Sequence, residues 1–355
     1  MNLASIRKKI DRIDYDILRL LNERIELAVR TKKFKDAVYD RNREAQILEQ
    51  IKEYSKIFHL IQSDFIEKLF AEIIYENRKF QEKKSCLIGF QGEHGAFGEI
   101  AARYYDSSLV TIPCAEFADI FEEVEMGHLD LGIVPVENSL GGAITQVNEL
   151  LVKTDLKVIA AVKLRINHCL LALPETNYKD VRVVYSHPQA ISQCRDFLNR
   201  HKLEARPFYD TAGAAKMLLI REVKMAAVIA SKLAAKLYNL DIIKENIEDN
   251  TSNFTRFLIL SKEERKKDAN KCSIVFSTPH KAGTLFSILK IFAEANINLT
   301  RIESLPCRND PGHYVFFLDF QVDGTFDKLD KILEKVKQKT NMFKYLGCYQ
   351  EKEAQ

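Results

Sequence analysis

The chain has 355 residues, of which 46% are apolar and 29% are charged, and its 53 basic side chains nearly balance its 50 acidic ones. This length exceeds one ordinary core, so we expect two or three domains. The net charge of +3 gives no reason to expect a nucleic-acid or membrane partner. No apolar run is long enough for a membrane span and charges interrupt the first residues, so we expect a cytoplasmic protein.

The cysteines and histidines predict neither disulfides nor a metal site. The cysteines are odd in number, scattered and never spaced C-x-x-C, which favours reduced and mostly buried thiols. The eight histidines also lack the spacing of metal ligands. The seven cysteines are Cys86, Cys114, Cys169, Cys194, Cys272, Cys307 and Cys348.

Residues 1–84 contain neither Gly nor Pro and are rich in helix formers, which predicts an all-α domain of long helices. Residues spaced by three, four, seven or eleven share one helix face. By that rule Arg24 and Lys35 lie on the isoleucine stripe of the first helix, and Asn77 and Gln81 continue an apolar stripe on the last one. Such groups either snorkel and pair at the ends of the stripe or, if buried without acidic partners, bind a polyanion.

The segments IRKKIDRIDYDILRLLNERIELA, DRNRE and IIYENRKFQ resemble the all-helical class of chorismate mutase, whose three-helix protomers intertwine as dimers. The Claisen rearrangement of chorismate needs only a compressed conformer and donors to the charge developing on the ether oxygen. The resemblance implies that Lys35 and Gln81 face that oxygen. It also implies substrate contacts at Arg7, which the partner subunit contributes, and at Arg24, Asp40, Arg43, Glu44 and Asn77.

Residues 85–263 alternate short β-branched runs with helical stretches, which predicts an α/β domain with largely parallel strands. The loop GFQGEHGAFGEI places four glycines between a strand and a helix. It suits either anion capture by backbone amides or, the commoner case, a tight turn. Its spacing is not that of a dinucleotide-binding loop, so no nicotinamide cofactor is implied.

Three further segments of this domain carry polar residues at strand ends. VPVENSLGGAI sets Glu137 and Asn138 at the end of a strand, where open α/β sheets bind ligands. YSHPQAISQC sets Ser186 at a strand end and Gln193 in the following helix, and NTSNFTRFLIL presents Thr255 just before a strand. Taken one at a time, such residues are usually caps and turns.

Together GEHGAFGE, VENSLGGAI, YSHPQ and NFTRF resemble prephenate dehydratase, whose two α/β lobes enclose the site between them. The resemblance implies that Thr255 is the essential catalytic group and Glu137 a second catalytic candidate. It implies substrate contacts at Asn138, Ser186 and Gln193.

The dehydratase chemistry leaves two roles open. Loss of carbon dioxide together with hydroxide makes the ring aromatic, which is a strong driving force, so the enzyme need only help the hydroxyl to leave. Thr255 can do so by hydrogen bonding, and Glu137 can supply a proton if burial raises its pKa. Gly98 departs from the relatives, which usually have Ser or Thr there.

Residues 270–355 follow a charged linker and predict the order βαββαβ, with two strands around Pro311-Gly312, a ferredoxin-like module. The module resembles the ACT domain, which senses amino acids at a dimer interface. Two of its segments match the phenylalanine-binding motifs attached to prephenate dehydratases, although Leu305 replaces a frequent Arg. A purely structural dimerisation module is the alternative. The implied effector residues are Gly283, Thr284, Leu285 and Phe286 (GTLF), and Glu303, Ser304, Leu305 and Pro306 (ESLP).

The three segments together resemble the bifunctional enzymes of phenylalanine biosynthesis. That resemblance implies a homodimer without cofactor that converts chorismate to prephenate and prephenate to phenylpyruvate, with phenylalanine as inhibitor. A ligand-sensing regulator is an alternative of another class, although no DNA-binding signature occurs. Arogenate dehydratase is the rival enzyme, because DTAGAA (Asp210 to Ala215) also resembles the plant-type arogenate enzymes. One of the two catalytic domains could also have lost its activity while it keeps its fold.

Overall fold

The structure is a computed structural model that describes residues 2–35, 37–265, 268–306, 314–322 and 326–354. Cys307, Pro311 and Gly312 lie outside these residues. The chain divides into two compact units, 1–86 and 87–355. Among the described residues, no helix is both long and apolar enough to cross a bilayer. Of the six described cysteines, five are buried and Cys86 is partly exposed.

The first unit is the predicted all-α domain. Asn2 caps its long first helix by accepting a hydrogen bond from the Ser5 amide, and Asp40 caps the second helix in the same way. A short 3-10 turn, Lys32–Phe34, ends the first helix. The helices are α1 (Leu3–Thr31), α2 (Arg41–Ser55) and α3 (Ser63–Glu82).

The second unit begins with the α/β domain, which has two lobes. In chain order it comprises β1 (Leu87–Gln91), α4 (Phe97–Tyr105), β2 (Val110–Cys114), α5 (Phe117–Met126), β3 (Leu131–Asn138), β4 (Gly142–Ala143), α6 (Thr145–Lys153), β5 (Lys157–Arg165), β6 (Cys169–Ala172), β7 (Val183–Ser186), α7 (Pro188–Gln193), α8 (Arg195–Arg200), β8 (Glu204–Pro207), α9 (Thr211–Arg221), β9 (Ala226–Ala230), α10 (Lys232–Leu237), β10 (Asp241–Lys244) and β11 (Phe254–Ser261).

The sheets of this domain are mixed, so the expectation of largely parallel strands was wrong. In the first lobe β1 pairs in parallel with β2 and β3, but β11 pairs antiparallel with both β3 and β5. The second lobe has the strand order β10-β6-β9-β7-β8. The cause is the route of the chain, which leaves the first lobe along β5 and returns along β11. Two neighbouring strands that carry the chain out and back must run in opposite directions.

The C-terminal module has the predicted βαββαβ order. Its strands pair antiparallel in the order β13-β14-β12-β15 around a core that contains Phe276, Phe292 and Phe320. Its elements are β12 (Lys271–Ser277), α11 (Thr284–Glu294), β13 (Leu299–Pro306), β14 (Tyr314–Gln321), α12 (Phe326–Lys337) and β15 (Met342–Ala354).

One strand joins the module to the first lobe. The end of β15, Gln350 to Ala354, pairs in parallel with β5, so both sheets form one ten-stranded sheet. Gly347 lies where β15 passes between them with φ +143°, and a Cβ there would collide with the Val158 carbonyl oxygen. Only glycine fits this crossing without strain.

Candidate active sites

A cavity of about 300 Å³ in the first unit brings most of the predicted mutase residues together. Residues from α1, α2, α3 and the segment after Lys35 line it. Seven of the eight predicted residues are present: Arg24, Lys35, Asp40, Arg43, Glu44, Asn77 and Gln81.

The cavity has an excess of positive charge. Its two carboxylates are already engaged: Asp40 Oδ1 accepts from the Arg43 amide at 3.0 Å, and Glu44 Oε1 lies 3.3 Å from Arg78 Nη1. Burial lowers the pKa of Arg24 from its ordinary value, yet a guanidinium stays charged at neutral pH. A dianion would neutralise the remaining charge. The four cations of the lining are Arg24, Lys35, Arg43 and Arg78.

Two amides of α3 complete the polar lining. The Gln81 Nε2 group donates to the Ala28 carbonyl at 2.6 Å and to Thr31 Oγ1 at 2.9 Å, so this amide must turn before it can donate into the cavity. Asn77 Nδ2 donates to the Ile73 carbonyl at 2.7 Å. Its Oδ1 is buried and has no hydrogen-bond partner among the described residues, so it can accept from a ligand hydroxyl.

Arg7 is the predicted mutase residue that does not line the cavity. It precedes Arg24 by seventeen residues of the same helix, which corresponds to about 25 Å at 1.5 Å per residue. Arg7 of one chain therefore cannot reach the cavity that Arg24 of that chain lines.

Sequence analysis missed Arg78. Its guanidinium carbon lies 4.9 Å from the centre of the Tyr39 ring and 5.6 Å from that of Tyr75, within the range of cation–π attraction. Arg78 follows Ile74 by four residues, so the spacing that singled out Asn77 and Gln81 also places Arg78 beside this stripe. That spacing was the available signal.

In the second unit, the register of β3 against β11 sorts the predicted dehydratase residues onto two faces of the sheet. Asn138 is paired with Thr255, and Glu137 with Arg256. Successive side chains of a strand point to opposite faces. Asn138 and Thr255 therefore share one face, whereas Glu137 and Arg256 share the other.

The first face carries a chain of neutral hydrogen-bonding groups. Asn138 Nδ2 lies 3.0 Å from Thr255 Oγ1 and 2.7 Å from Asn253 Oδ1. Asn138 Oδ1 accepts from Gln193 Nε2 at 3.5 Å, and Gln193 Oε1 lies 2.9 Å from Nε2 of His168. Burial lowers the pKa of His168, which favours a neutral ring that donates to Gln193. Because Thr255 Oγ1 accepts from Asn138, its own hydroxyl proton can be donated to a substrate.

Ser186 lies apart from this chain of groups. It ends β7 as predicted and is fully buried, and its hydroxyl donates to the Ile229 carbonyl at 2.7 Å. In this arrangement the Ser186 hydroxyl holds two strands of the second lobe together.

Glu137 faces away from Thr255 and lies between two arginines. Its Oε1 is 3.6 Å from Arg256 Nη1, and its Oε2 is 3.4 Å from Arg301 Nε. The structure therefore does not bring the two catalytic candidates together. The sequence could not indicate this, because the pairing of two strands 115 residues apart decides which residues share a face.

The glycine loop before α4 is a tight turn whose amides are occupied by the protein's own carboxylates. The Gly95 amide donates to Glu99 Oε2 at 2.6 Å, and the Glu93 amide to Asp210 Oδ2 at 3.3 Å. A Cβ at Gly98 would make ordinary contact with Phe90 at 3.5 Å, so the loop has room for the hydroxyl residue of the relatives. The turn alternative fits these contacts better than capture of a ligand anion.

The two predicted effector motifs lie in different places within one chain. The GTLF residues line a cavity of about 230 Å³ that Tyr314 and Phe316 also border. The ESLP residues are the last four residues of β13, where Ser304 pairs with Phe316 and Pro306 with Tyr314 of β14. Glu303 lines another cavity, of about 320 Å³, which Glu137 also lines.

Comparison with known proteins assigns the three segments. Residues 6–82 match chorismate mutase type II, residues 88–265 match prephenate dehydratase, and residues 273–338 match the ACT domain. The prephenate dehydratase match spans half of the chain, which therefore belongs to the prephenate dehydratase family. The order of the three matches confirms the predicted fold class.

Two relatives show more specifically which enzymes this chain is similar to. The bifunctional chorismate mutase/prephenate dehydratase of Aquifex aeolicus is 33% identical over 98% of this chain and 97% of that protein. The arogenate dehydratase/prephenate dehydratase 2 of Arabidopsis thaliana is 38% identical over 74% of this chain and 72% of that protein. The chain belongs to the bifunctional chorismate mutase/prephenate dehydratases and is an enzyme with a domain for each activity.

A solved structure agrees with this assignment. The prephenate dehydratase from Arthrobacter aurescens in complex with L-Phe is 29% identical, with a TM-score of 0.68. The match covers 74% of this chain and 89% of that one. The similarity extends through the α/β and C-terminal domains, because the N-terminal helical domain makes up most of the remainder.

The glycine loop generates a prediction on acid stability. Burial opposes ionisation of Glu99, but His94, the Gly95 amide and Arg103 lower its pKa to about 2. A depressed pKa stabilises the fold above the unfolded value of 4.5, and this contribution is lost as the pH falls towards 2. We expect Glu99→Gln to remove a contribution of about 3 kcal/mol to the pH dependence of unfolding.

Thermal unfolding of the second unit, followed by circular dichroism from pH 5 to pH 2, measures this dependence. The Tm of the parent protein should fall more steeply with acid than that of Glu99→Gln. Glu122→Gln, at an exposed carboxylate, serves as the control and should keep the parent slope. Equal slopes for Glu99→Gln and the parent would contradict the assigned pKa.

Proposed function

We propose that the first unit rearranges chorismate to prephenate and that the second unit converts prephenate to phenylpyruvate. The observation that supports this most strongly is the gathering of seven predicted mutase residues around one cavity with surplus positive charge. Chorismate added without cofactor, with prephenate and phenylpyruvate followed separately, tests it. A ligand-sensing regulator would consume neither compound.

The mutase cavity suits a dianion held in a compact conformer. Arg24 and Arg43 bind the two carboxylates of chorismate, since the carboxylates of the lining already cap a helix or pair with Arg78. Lys35 donates to the ether oxygen as negative charge develops there, and Gln81 assists after its amide turns. Asn77 Oδ1 accepts from the substrate hydroxyl.

A second copy of the chain completes this site in the proposed enzyme. Six apolar side chains on the first two thirds of α1 are exposed and alternate at spacings of three and four. That spacing is the stripe by which two helices pack together. The homodimer covers the stripe and brings Arg7 of the other copy towards the cavity. The stripe consists of Leu3, Ile6, Ile10, Ile13, Ile17 and Leu20.

Replacement of Arg24 separates the two activities. Loss of a preorganised contact to the substrate should lower chorismate turnover by about 100-fold or more in Arg24→Ala. Prephenate dehydration should stay at the parent rate, because its residues belong to the other unit. Arg19→Ala is the matched control on the same helix, since Arg19 pairs with Asp16 and Glu23 and does not line the cavity. Loss of both activities in folded Arg24→Ala protein would contradict independent sites.

The dehydratase mechanism assigned here centres on Thr255. The carboxylate of prephenate leaves as carbon dioxide, its electron pair enters the ring, and the bond from the ring to the hydroxyl breaks. The Thr255 hydroxyl, polarised by Asn138, donates a hydrogen bond to the departing oxygen. Asn138 and Gln193 bind substrate oxygens from the same face. Glu137 supports this face from the opposite side of the sheet rather than supplying the proton.

Removal of one hydroxyl tests this mechanism. Thr255→Val keeps the shape of the side chain but removes the donor, so phenylpyruvate formation should fall by about 100-fold or more while chorismate turnover is unchanged. Thr340→Val is the control, because its exposed hydroxyl donates to the Lys337 carbonyl at the end of α12, away from the ions around Asp319. Near-parent dehydration by Thr255→Val would exclude it as the donor. Parallel assays with arogenate establish which of the two compounds is preferred.

Phenylalanine is the proposed effector of the C-terminal module. Backbone and small side chains of GTLF border a cavity with the aromatic rings of Tyr314 and Phe316 beside it. ESLP pairs with the strand that carries Tyr314 and Phe316 but does not line this cavity, so we infer that a second copy supplies that half of the site. Phenylalanine would inhibit by shifting an equilibrium between two arrangements of the proposed dimer. Because Leu305 replaces the usual Arg, these arrangements differ less in energy and inhibition is partial.

Calorimetry with phenylalanine, alongside a dehydratase titration, measures binding and inhibition together. We expect binding heat, incomplete dehydratase inhibition and little effect on the mutase. Leu305→Arg should deepen the inhibition, and Leu346→Met serves as a control in the buried core of the same module. Absence of both heat and inhibition at millimolar phenylalanine would leave the module with a structural role alone.

A further inference from the structure

A buried group of ions connects the C-terminal module to the dehydratase face that carries Glu137. Asp319 of β14 lies opposite Arg301 of β13 in register. Its Oδ2 is 2.5 Å from Arg256 Nη1 and 3.9 Å from Arg301 Nη1, and its Oδ1 accepts from the Ser273 hydroxyl. Arg256 also pairs with Glu351 of β15. Thus the strand that carries Thr255 is bound through its next residue to the C-terminal module.

Arg301 reaches from the C-terminal module to two elements of the first lobe. Its Nε lies 3.4 Å from Glu137 Oε2 at the end of β3, and its Nη2 donates to Asn148 Oδ1 on α6 at 3.2 Å. The side chain is only 6% exposed, so few other positions are open to it. Arg301 therefore contacts the residues on both sides of the segment that connects β3 to α6.

The position of Glu137 is coupled to that of the neutral site through the backbone of β3. Glu137 and Asn138 are consecutive in β3, so a shift of one displaces the other. Asn138 in turn is bonded to Thr255 and Gln193 on the opposite face. Arg301 therefore acts on the polarising amide through one peptide unit.

The same arginine lies close to the predicted sensor motif. Glu303, the first residue of ESLP, follows Arg301 by two residues and so points to the same face of β13. It lines the cavity that Glu137 also lines. A displacement of ESLP would therefore move Arg301 along with it.

We propose that Arg301 is a positioning residue for the dehydratase reaction: it holds Glu137 so that Asn138 polarises Thr255, and it transmits the state of the ESLP segment to that contact. The proposal rests on the dehydratase activity assigned above. Its physical basis is the balance of charge around buried Arg256, Arg301 and Asp319, where geometry is constrained because an ion without its partner is costly. The Glu137 side chain, 37% exposed, lies at the edge of this group. The cations Arg256, Arg301 and Lys271 face the anions Glu137, Asp319 and Glu351.

A double-mutant cycle in the full chain tests this route. Arg301→Met and Glu137→Gln should each lower the dehydratase kcat by about 10- to 100-fold, the effect of a small misplacement at a reacting centre, with a smaller change in KM. The double variant should be no slower than the more impaired single variant. Arg301→Lys, which keeps the charge, should recover part of the rate. Mutase turnover should be unchanged throughout.

A matched variant separates positioning from simple attachment of the module. Lys344 is another cation of the C-terminal module that bonds the first lobe, through the Val152 and Thr154 carbonyls, and it does not contact Glu137. Lys344→Met should keep the parent kcat. Phenylalanine should still give binding heat with Arg301→Met, but its effect on kcat should be lost.

Three results would overturn the inference: additive losses in the cycle, equal losses from Lys344→Met and Arg301→Met, or an unchanged kcat in Arg301→Met. If Arg301→Met shows no cooperative unfolding transition and is therefore not folded, Arg301→Lys replaces it in the cycle. That cycle with Glu137→Gln again shows whether the two losses are additive. A parent protein that forms no phenylpyruvate would instead refute the proposed dehydratase function. The two failures are therefore distinguishable.

Discussion

The arrangement of the second unit depends on the pairing of β3 with β11. This pairing brings Asn138 to Thr255 on one face and Glu137 to Arg256 on the other. A slip of one residue would exchange the faces, because side chains alternate along a strand. One register thus separates a neutral face, built from hydroxyl and amide groups, from a charged face that joins the C-terminal module. The chemistry assigned to each face follows from that separation.

The continuous sheet connects this pairing to the C-terminal module. The end of β15 adds to β5, and β5 is the other neighbour of β11. The C-terminal module is therefore attached to the catalytic strand by backbone hydrogen bonds as well as by the ions around Asp319. Buried ion pairs add little net stability but fix geometry, since an unpaired partner is costly. Such a junction is suited to transmitting small displacements.

The first unit follows a different principle. Its helices place cations and amides where an apolar core is expected, and the charges exceed the carboxylates that could pair with them. Much of its apolar surface lies instead on the exposed stripe of α1. In the proposed homodimer a second copy covers this stripe and a bound dianion neutralises the surplus charge, so assembly and ligand binding would both stabilise this unit.

Sequence alone indicated the three segments and most of the polar residues that line the mutase cavity. Helical spacing is local, so the absence of Gly and Pro and the repeat of three and four residues were enough to place Arg24, Asn77 and Gln81 on inward faces. The same local reasoning placed Asn138 and Ser186 at strand ends and Gln193 in a helix. It missed Arg78, although its spacing from Ile74 follows the same rule.

Tertiary structure decided which predicted residues meet. Local pattern placed Glu137 at the end of a strand and Thr255 just before one, whereas the structure places Thr255 within β11. Only the pairing of β3 with β11 shows that Glu137 and Thr255 face opposite ways. The mixed direction of the sheets arises from the return of the chain between lobes, and the contact of Arg301 with Glu137 joins residues 164 positions apart. These features depend on strand register, chain route and burial. All three are set by contacts between distant segments, so no periodic pattern within a single segment indicates them.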